Sequence, residues 1–363
     1  MIIAANFNMP QSWWLGFMNI FENMKRWTVL LLLNVFAATG IFAQNVDSSD
    51  LHSTAKTFMM QGDYNNAILV LNRALENDKS NLNLLKDLAF SQYLNRNFVE
   101  AMQVAKPLAE RADADIQTFQ ILGMIYNAVE EKKDAEKMYK AAFKKFPESG
   151  VLHNEYGELL LGRKLPEEAV RYWEKGIQSE PNYSGNYYNL SKYYLNTTDN
   201  IWGLIYGEIF VNLESYSKRT PEIKGLVFEG YKKLLTSPDL AKNQNIKNEF
   251  VKAYIDHLKN QIKVVEKGVS PETLSALRTR FILDWYNKDA NRFPFKLFEY
   301  HQQLLKEGLF EAYNQWIFGS ARDLAAYQNW TTTHSEAYSK FKYFQENRVF
   351  KIPPAQYYNT ASK

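Results

Sequence analysis

An all-α fold built on a stacked helical solenoid is predicted by three observations. Small residues recur every 34 positions at Ala67, Ala101, Ala135 and Ala169, and Gly203 extends the series. A second small-residue series runs twelve positions upstream, at Ala55, Ala89, Gly123, Gly157 and Ser191. Pro147 and Pro181 fall on the same period, and proline ends a helix because it lacks an N–H and clashes with the preceding turn. A 34-residue period is the length of one helix–turn–helix unit. Small residues at fixed places in each unit let its two helices approach closely.

Taken in chain order, residues 48–81 keep Ala55, Phe58, Ala67, Leu71 and Ala74, with a turn at Gln61-Gly62-Asp63-Tyr64 where glycine supplies the geometry. Residues 82–115 keep Leu85, Leu88, Ala89 and Ala101 but carry Leu108 at the third small position. Residues 116–149 are the fullest copy, with Phe119, Leu122, Gly123, Tyr126, Ala135, Tyr139, Ala142 and Pro147. Residues 150–183 follow with Tyr156, Gly157, Leu160, Ala169, Trp173, Gly176 and Pro181. A fifth copy begins at 184 with Tyr187, Leu190, Ser191, Tyr194 and Gly203, then diverges. These residues and their spacing resemble the tetratricopeptide repeat (TPR) family. The expected architecture is therefore a TPR-type solenoid over 48–216, four good repeats plus a partial fifth, followed by a helical C-terminal region.

The resemblance implies a protein or peptide partner, met by the inward face of the first helix of each repeat. In this register that face offers Lys56, Met60, Lys86, Phe90, Tyr93, Gln120, Met124, Asn127, Asn154, Glu158, Tyr188 and Lys192. Three lysines against one glutamate predict a mildly basic groove and a partner segment of some acidic character. Asn127 and Asn154 can each donate and accept hydrogen bonds to an extended backbone, and Phe90, Tyr93 and Tyr188 can take apolar side chains. The lysines are spread over separate repeats, which departs from the carboxylate-clamp pattern of the family. Recognition of a free C-terminal carboxylate is therefore not expected.

At the start of the chain, Lys25-Arg26 precedes an apolar run from Trp27 to Ala43. A charged segment, an apolar segment and a small residue before Gln44 read as a cleavable export signal over 24–43. The run is short for a membrane span, which needs about 20 apolar residues; an uncleaved anchor is the alternative. Residues 1–23, apolar and carrying Trp13 and Trp14, read as an over-extended start, with Met24 as the true one. The expected location is the periplasm or outside the cell, with no stable membrane span once the signal is cut. The chain has no cysteine, which excludes disulfides, thiolate metal sites and a lipidated N-terminal cysteine. The net charge is +3 without a Lys/Arg tract, so no nucleic-acid partner is expected.

From 217 to 350 the period is lost but helical spacing continues, with an extended tail over 351–363. Thr220-Pro221-Glu222 and Ser270-Pro271-Glu272 are helix starts. Ile246, Phe250, Ala253, Tyr254, Leu258 and Val265 form an apolar stripe, and further helices are expected near 271–288, 294–306, 309–318, 320–329 and 333–347. Aromatic residues are dense here, among them Trp285, Phe298, Tyr313 and Trp316. They read either as a helical core or as the lining of a glycan- or peptide-binding surface.

Motifs for zinc proteases, serine hydrolases and phosphate loops are missing. Glu299, His301, His334 and Glu336 are the nearest approach to a metal set, but Glu299 and His301 stand two apart and point to different sides of one helix. Neither a catalytic residue, a cofactor nor a metal is assigned, and His153 reads as a packing residue. The resulting expectation is a non-enzymatic interaction scaffold of the cell envelope. The alternative is a C-terminal glycan-binding or enzymatic module with the repeat array as its docking arm.

Overall fold

The computed structural model describes residues 47–197 and 199–354. The export signal and the segment before it lie outside the described residues, as does the tail from 355 on. Among the described residues there is no strand, and helices pair in sequence as the period requires. The pairs are α1 (Ser48–Gln61) with α2 (Tyr64–Asn77), α3 (Leu82–Leu94) with α4 (Phe98–Glu110), α5 (Ile116–Ala128) with α6 (Lys132–Lys145), α7 (Gly150–Gly162) with α8 (Pro166–Ser179), and α9 (Ser184–Leu195) with α10 (Asn200–Leu213).

The helix boundaries have local causes. Asp115 and Ser149 cap α5 and α7 by accepting hydrogen bonds from the N–H groups of Thr118 and Leu152. Pro166 opens α8, where its missing N–H costs nothing. In each of the first four pairs the turn between the helices holds one left-handed residue. Gly62 supplies it in the first repeat (φ 76°), and Arg96, Glu130 and Lys164, each 34 residues on, adopt it at φ 59–64°. Glycine was thus the visible sign of the turn in one repeat only, while the backbone conformation recurs in four.

The small-residue series sets how closely the paired helices approach. Ala67, Ala101, Ala135 and Ala169 are buried, as are Ala55, Ala89 and Ser191. The first helix offers a small residue where the second sends a side chain across. Tyr139 of α6 lies over Gly123, and Trp173 of α8 lies over Gly157 with its indole N–H donating to the Asn154 carbonyl (3.1 Å). In the fifth pair the roles reverse. Gly207 of α10 gives space to the Ser191 hydroxyl, which in turn donates to the Gly203 carbonyl (3.1 Å).

The fifth pair is complete, although its sequence departs from the pattern. Every residue of α10 from Asn200 to Asn212 is buried. A helix apolar on all sides is one enclosed on all sides. It packs against α9 and against α11 (Thr220–Leu235), which also touches α9 as the next first-helix of the stack would. The stacking therefore continues one helix past residue 216. Thr220 does not cap α11 as its sequence suggested; its hydroxyl donates to the Glu214 carbonyl, and Arg219 holds the cap position.

The C-terminal region adds α12 (Glu249–Gln261), α13 (Pro271–Lys288), α14 (Lys296–Lys306), α15 (Phe310–Asn314), α16 (Leu324–Thr333) and α17 (Ser335–Glu346). Ser270 and Thr273 form a reciprocal capping box at the start of α13. After α15 the chain runs through a π-helical turn, Gln315–Gly319, and breaks at Asp323, which caps α16, rather than at Gly319. The Trp316 carbonyl in that turn accepts from the buried Lys224 ammonium at 2.7 Å. Trp285, Phe293, Phe295, Phe298, Tyr313, Trp316 and Phe318 are all buried. The aromatic density is a core, continuous with that of the solenoid from Ala89 to Ile352. The chain then returns to the repeats, where the Asn182 side chain accepts from the Ile352 N–H (2.8 Å) and donates to its carbonyl (3.0 Å).

Candidate functional site: a cleft on the inner face of the repeats

Consecutive first-helices of the stack touch one another (α3 with α5, α5 with α7, α7 with α9) more extensively than the second helices do. The tighter side is the inner side of the curve. On it lies a cleft of about 350 Å3 across α5 and α7, lined by Gln120, Met124, Asn127, Asn154 and Glu158 of the predicted groove. Gly123, Ala135, Tyr139, Glu155, Leu159, Tyr183 and Arg219 complete it.

The other predicted groove residues stand elsewhere. Lys56 and Met60 are exposed on α1, and Phe90 stacks on Tyr93 at 6.2 Å between ring centroids on α3. Lys86 is buried, 3% exposed, with its ammonium against Asp115. Lys192 pairs with Glu222 at 2.8 Å, and the Tyr188 hydroxyl donates to the same carboxylate at 2.6 Å. Two of the three lysines that made the groove basic are thus neutralised within the chain. The charges that line the cleft are the Glu155 and Glu158 carboxylates and the Arg219 guanidinium. A basic groove, and with it an acidic partner, is not what the structure presents. The Asn154 amide is also committed: it donates to Glu158 (3.1 Å) and accepts from Asn189 (2.9 Å).

Glu155 went unrecognised in the sequence, yet the cleft is organised around it. Its carboxylate accepts from the Gln120 amide at 2.9 Å and from the Tyr139 hydroxyl at 3.1 Å. Tyr139 belongs to α6, the outer helix of its pair. It reaches the inner face only because Gly123 has no side chain to block it. The same glycine that sets the helix approach therefore opens a notch for a hydroxyl in the cleft. Burial pushes the Glu155 carboxyl up to about 7, against the opposing hydrogen bonds from Gln120 and Tyr139 and with Glu158 adding to the rise.

That shift has a consequence for stability. The folded chain holds a proton on Glu155 that the unfolded chain releases above about 4.5. Any stability it contributes is present below that value and is lost as pH rises through about 7. Glu155→Gln is expected to stabilise the protein by about 1–3 kcal/mol at pH 8 and to change little at pH 4, read as thermal midpoints. An equal shift at both pH values would show that the carboxyl is not the group responsible.

A second polar cluster lies at the junction of the solenoid and the C-terminal region. Glu208 of α10 meets Arg278 of α13, and the same oxygen lies 2.8 Å from His301 Nε2 and 2.9 Å from the Tyr313 hydroxyl. Burial alone would raise the Glu208 carboxyl, but Arg278 and His301 outweigh it and hold it well below the carboxylate range. The cavity beside this cluster measures about 10 Å3, room for about one water. The cluster is thus a filled ionic joint. His301 is taken up in it, so the set with Glu299, His334 and Glu336 does not assemble; among the described residues no group with metal-ligand geometry is found. His153 stacks on Phe143 at 4.7 Å as a packing residue. No helix among the described residues is long and apolar enough to cross a membrane.

No family model matches the chain, and no curated protein is similar to it. Among solved structures it is similar to a tetratricopeptide repeat protein from Parabacteroides merdae, at 13% identity and a TM-score of 0.40 over 83% of this chain and 99% of that one. It is also similar to a thermophilic TPR protein of Thermus thermophilus, at 15% identity and a TM-score of 0.42 over 50% and 98%. A third is YrrB, a TPR protein with an unusual peptide-binding site, at 15% identity and a TM-score of 0.35 over 49% and 92%. These likenesses are distant, and the assignment rests on the chain's own repeat. Its 34-residue period, its five successive helix pairs and their stacking make it an all-α, TPR-type solenoid joined to a helical C-terminal region.

Proposed function

We propose that the protein is a non-enzymatic interaction scaffold of the cell envelope that holds a segment of a protein partner on the inner face of its repeats. The observation that carries this reading is the cleft across α5 and α7. There residues from two successive repeats and Arg219 converge around about 350 Å3 of open space. A stacked array presents such an extended surface because each repeat contacts only its neighbours. The envelope location rests on the charged and apolar segments from Lys25 to Ala43.

One experiment in the native host tests both parts. A photo-crosslinking amino acid is placed at Met124 in the cleft, and in a parallel strain at Leu283, an exposed apolar residue of α13. The expected result is a discrete crosslinked partner from the envelope fraction at Met124 alone, on a protein whose N-terminus begins at or near Gln44. Identical adducts at both positions would dissociate binding from the cleft. A protein still carrying Trp27 to Ala43 would make it membrane-anchored instead.

A further inference from the structure

We propose that the cleft takes a cationic side chain, a lysine or arginine of an extended partner segment, between the carboxylates of Glu155 and Glu158. This inference rests on the reading of the inner face as the binding surface and specifies the chemistry of its partner.

Three observations carry it. First, neither carboxylate forms an ion pair within the described chain, unlike Asp115 with Lys86 and Glu222 with Lys192 on the same side of the stack. Both are held instead by neutral donors. Gln120 and Tyr139 position Glu155, while the amides of Asn154 and Asn189 donate to Glu158 at 3.1 and 3.0 Å. Neutral donors orient the oxygens without supplying a counter-charge, so the pair attracts a cation through Glu158 and, above about pH 7 where Glu155 has released its proton, through both carboxylates.

Second, the one cation on the cleft wall is already engaged. Arg219 donates through Nε and Nη2 to Glu214 at 3.0 and 2.5 Å and lies over the Tyr188 ring at 4.6 Å. Third, Met124 and Leu159 supply apolar wall beside the acids. Lysine and arginine match that combination, laying a methylene stem on apolar surface while the charged head reaches polar groups.

Other depressions lack this pattern. Those on the C-terminal region, of about 550 and 580 Å3, carry cations with their acids: Arg280 lines the first with Glu272 and Glu311, and Glu272 pairs with Arg322 at 3.5 Å, while in the second Glu307 pairs with Arg348 at 3.4 Å.

The test uses four peptides, acetylated and amidated, of sequence Gly-Ser-Ala-Ala-Z-Ala-Ala-Ser-Gly, with Z arginine, lysine, norleucine or glutamate. The full chain carries 13C-methyl methionine, and the Met124 resonance is followed through each titration. Saturable shifts with the arginine and lysine peptides are expected, at concentrations at least tenfold below those needed with norleucine or glutamate. In Glu155→Gln/Glu158→Gln that preference is expected to vanish with helical circular dichroism unchanged. Equal response to norleucine, or preference for glutamate, would overturn the cationic partner while leaving the inner face as a binding surface. Absence of any Met124 shift would also overturn it, and crosslinking at Met124 then decides independently whether the face binds at all.

Discussion

Replacing Glu208 with leucine is expected to cost about 3–5 kcal/mol of stability, the largest effect of any single change considered for this chain. The reason is the state of what is left behind. Arg278 is 4% exposed and keeps its charge; without Glu208 it has no carboxylate partner, and its polar neighbours include the Asn314 side-chain oxygen, His301 and the Tyr231 hydroxyl. The Tyr313 hydroxyl also loses its acceptor while still accepting from Asn212 at 2.7 Å. A charge buried without its counter-ion is far more costly than the pair is stabilising. Glu208→Leu combined with Arg278→Met should therefore recover much of the loss. Urea unfolding of the two single variants and the double variant measures this directly. Simple additivity of the two single losses would mean that the ion pair does not join α10 to α13. Because Glu208 is held below its ordinary pKa, its contribution is present above about 4.5 and is lost as pH falls further.

The second large effect is expected at the glycine notch. A Cβ on Gly123 would lie 2.9 Å from Tyr139 Cζ and closer still to its hydroxyl oxygen. Tyr139 is buried and cannot swing into solvent without opening the pair. Gly123→Leu should destabilise by about 1–3 kcal/mol or more through overpacking. It should also withdraw the Tyr139 hydroxyl from Glu155, so stability and the cleft fail together. Lys132→Leu is the control. Lys132 begins α6, and its ammonium reaches the Gly162 carbonyl at 3.0 Å in an exposed contact, so its loss should cost little. Comparable falls in thermal midpoint for the two variants would refute the packing register.

Which residues can be read from sequence follows from how far apart the interacting partners are. The repeat was legible because a close helix approach excludes a side chain whatever the neighbour is, and that demand returns every 34 residues at Gly123, Gly157 and the alanines. The inner face was legible in part for the same reason: Gln120, Met124, Asn127, Asn154 and Glu158 come together because helical spacing alone puts them on one side of α5 and α7.

Tertiary structure decided the charge of the cleft. Lys86 and Lys192 looked like free cations, but Asp115 at the start of α5 and Glu222 of α11 neutralise them. Glu155 and Tyr139 meet across two different pairs, which no single-helix pattern contains. The fifth second-helix lost its repeat signature because it is enclosed on every side. What the sequence by itself determined was thus every feature imposed by local geometry and repeated along the chain, the helix pairs and their approach. Which charges stay free depends on pairings between residues on separate helices, and electrostatic pairing leaves no period in the sequence.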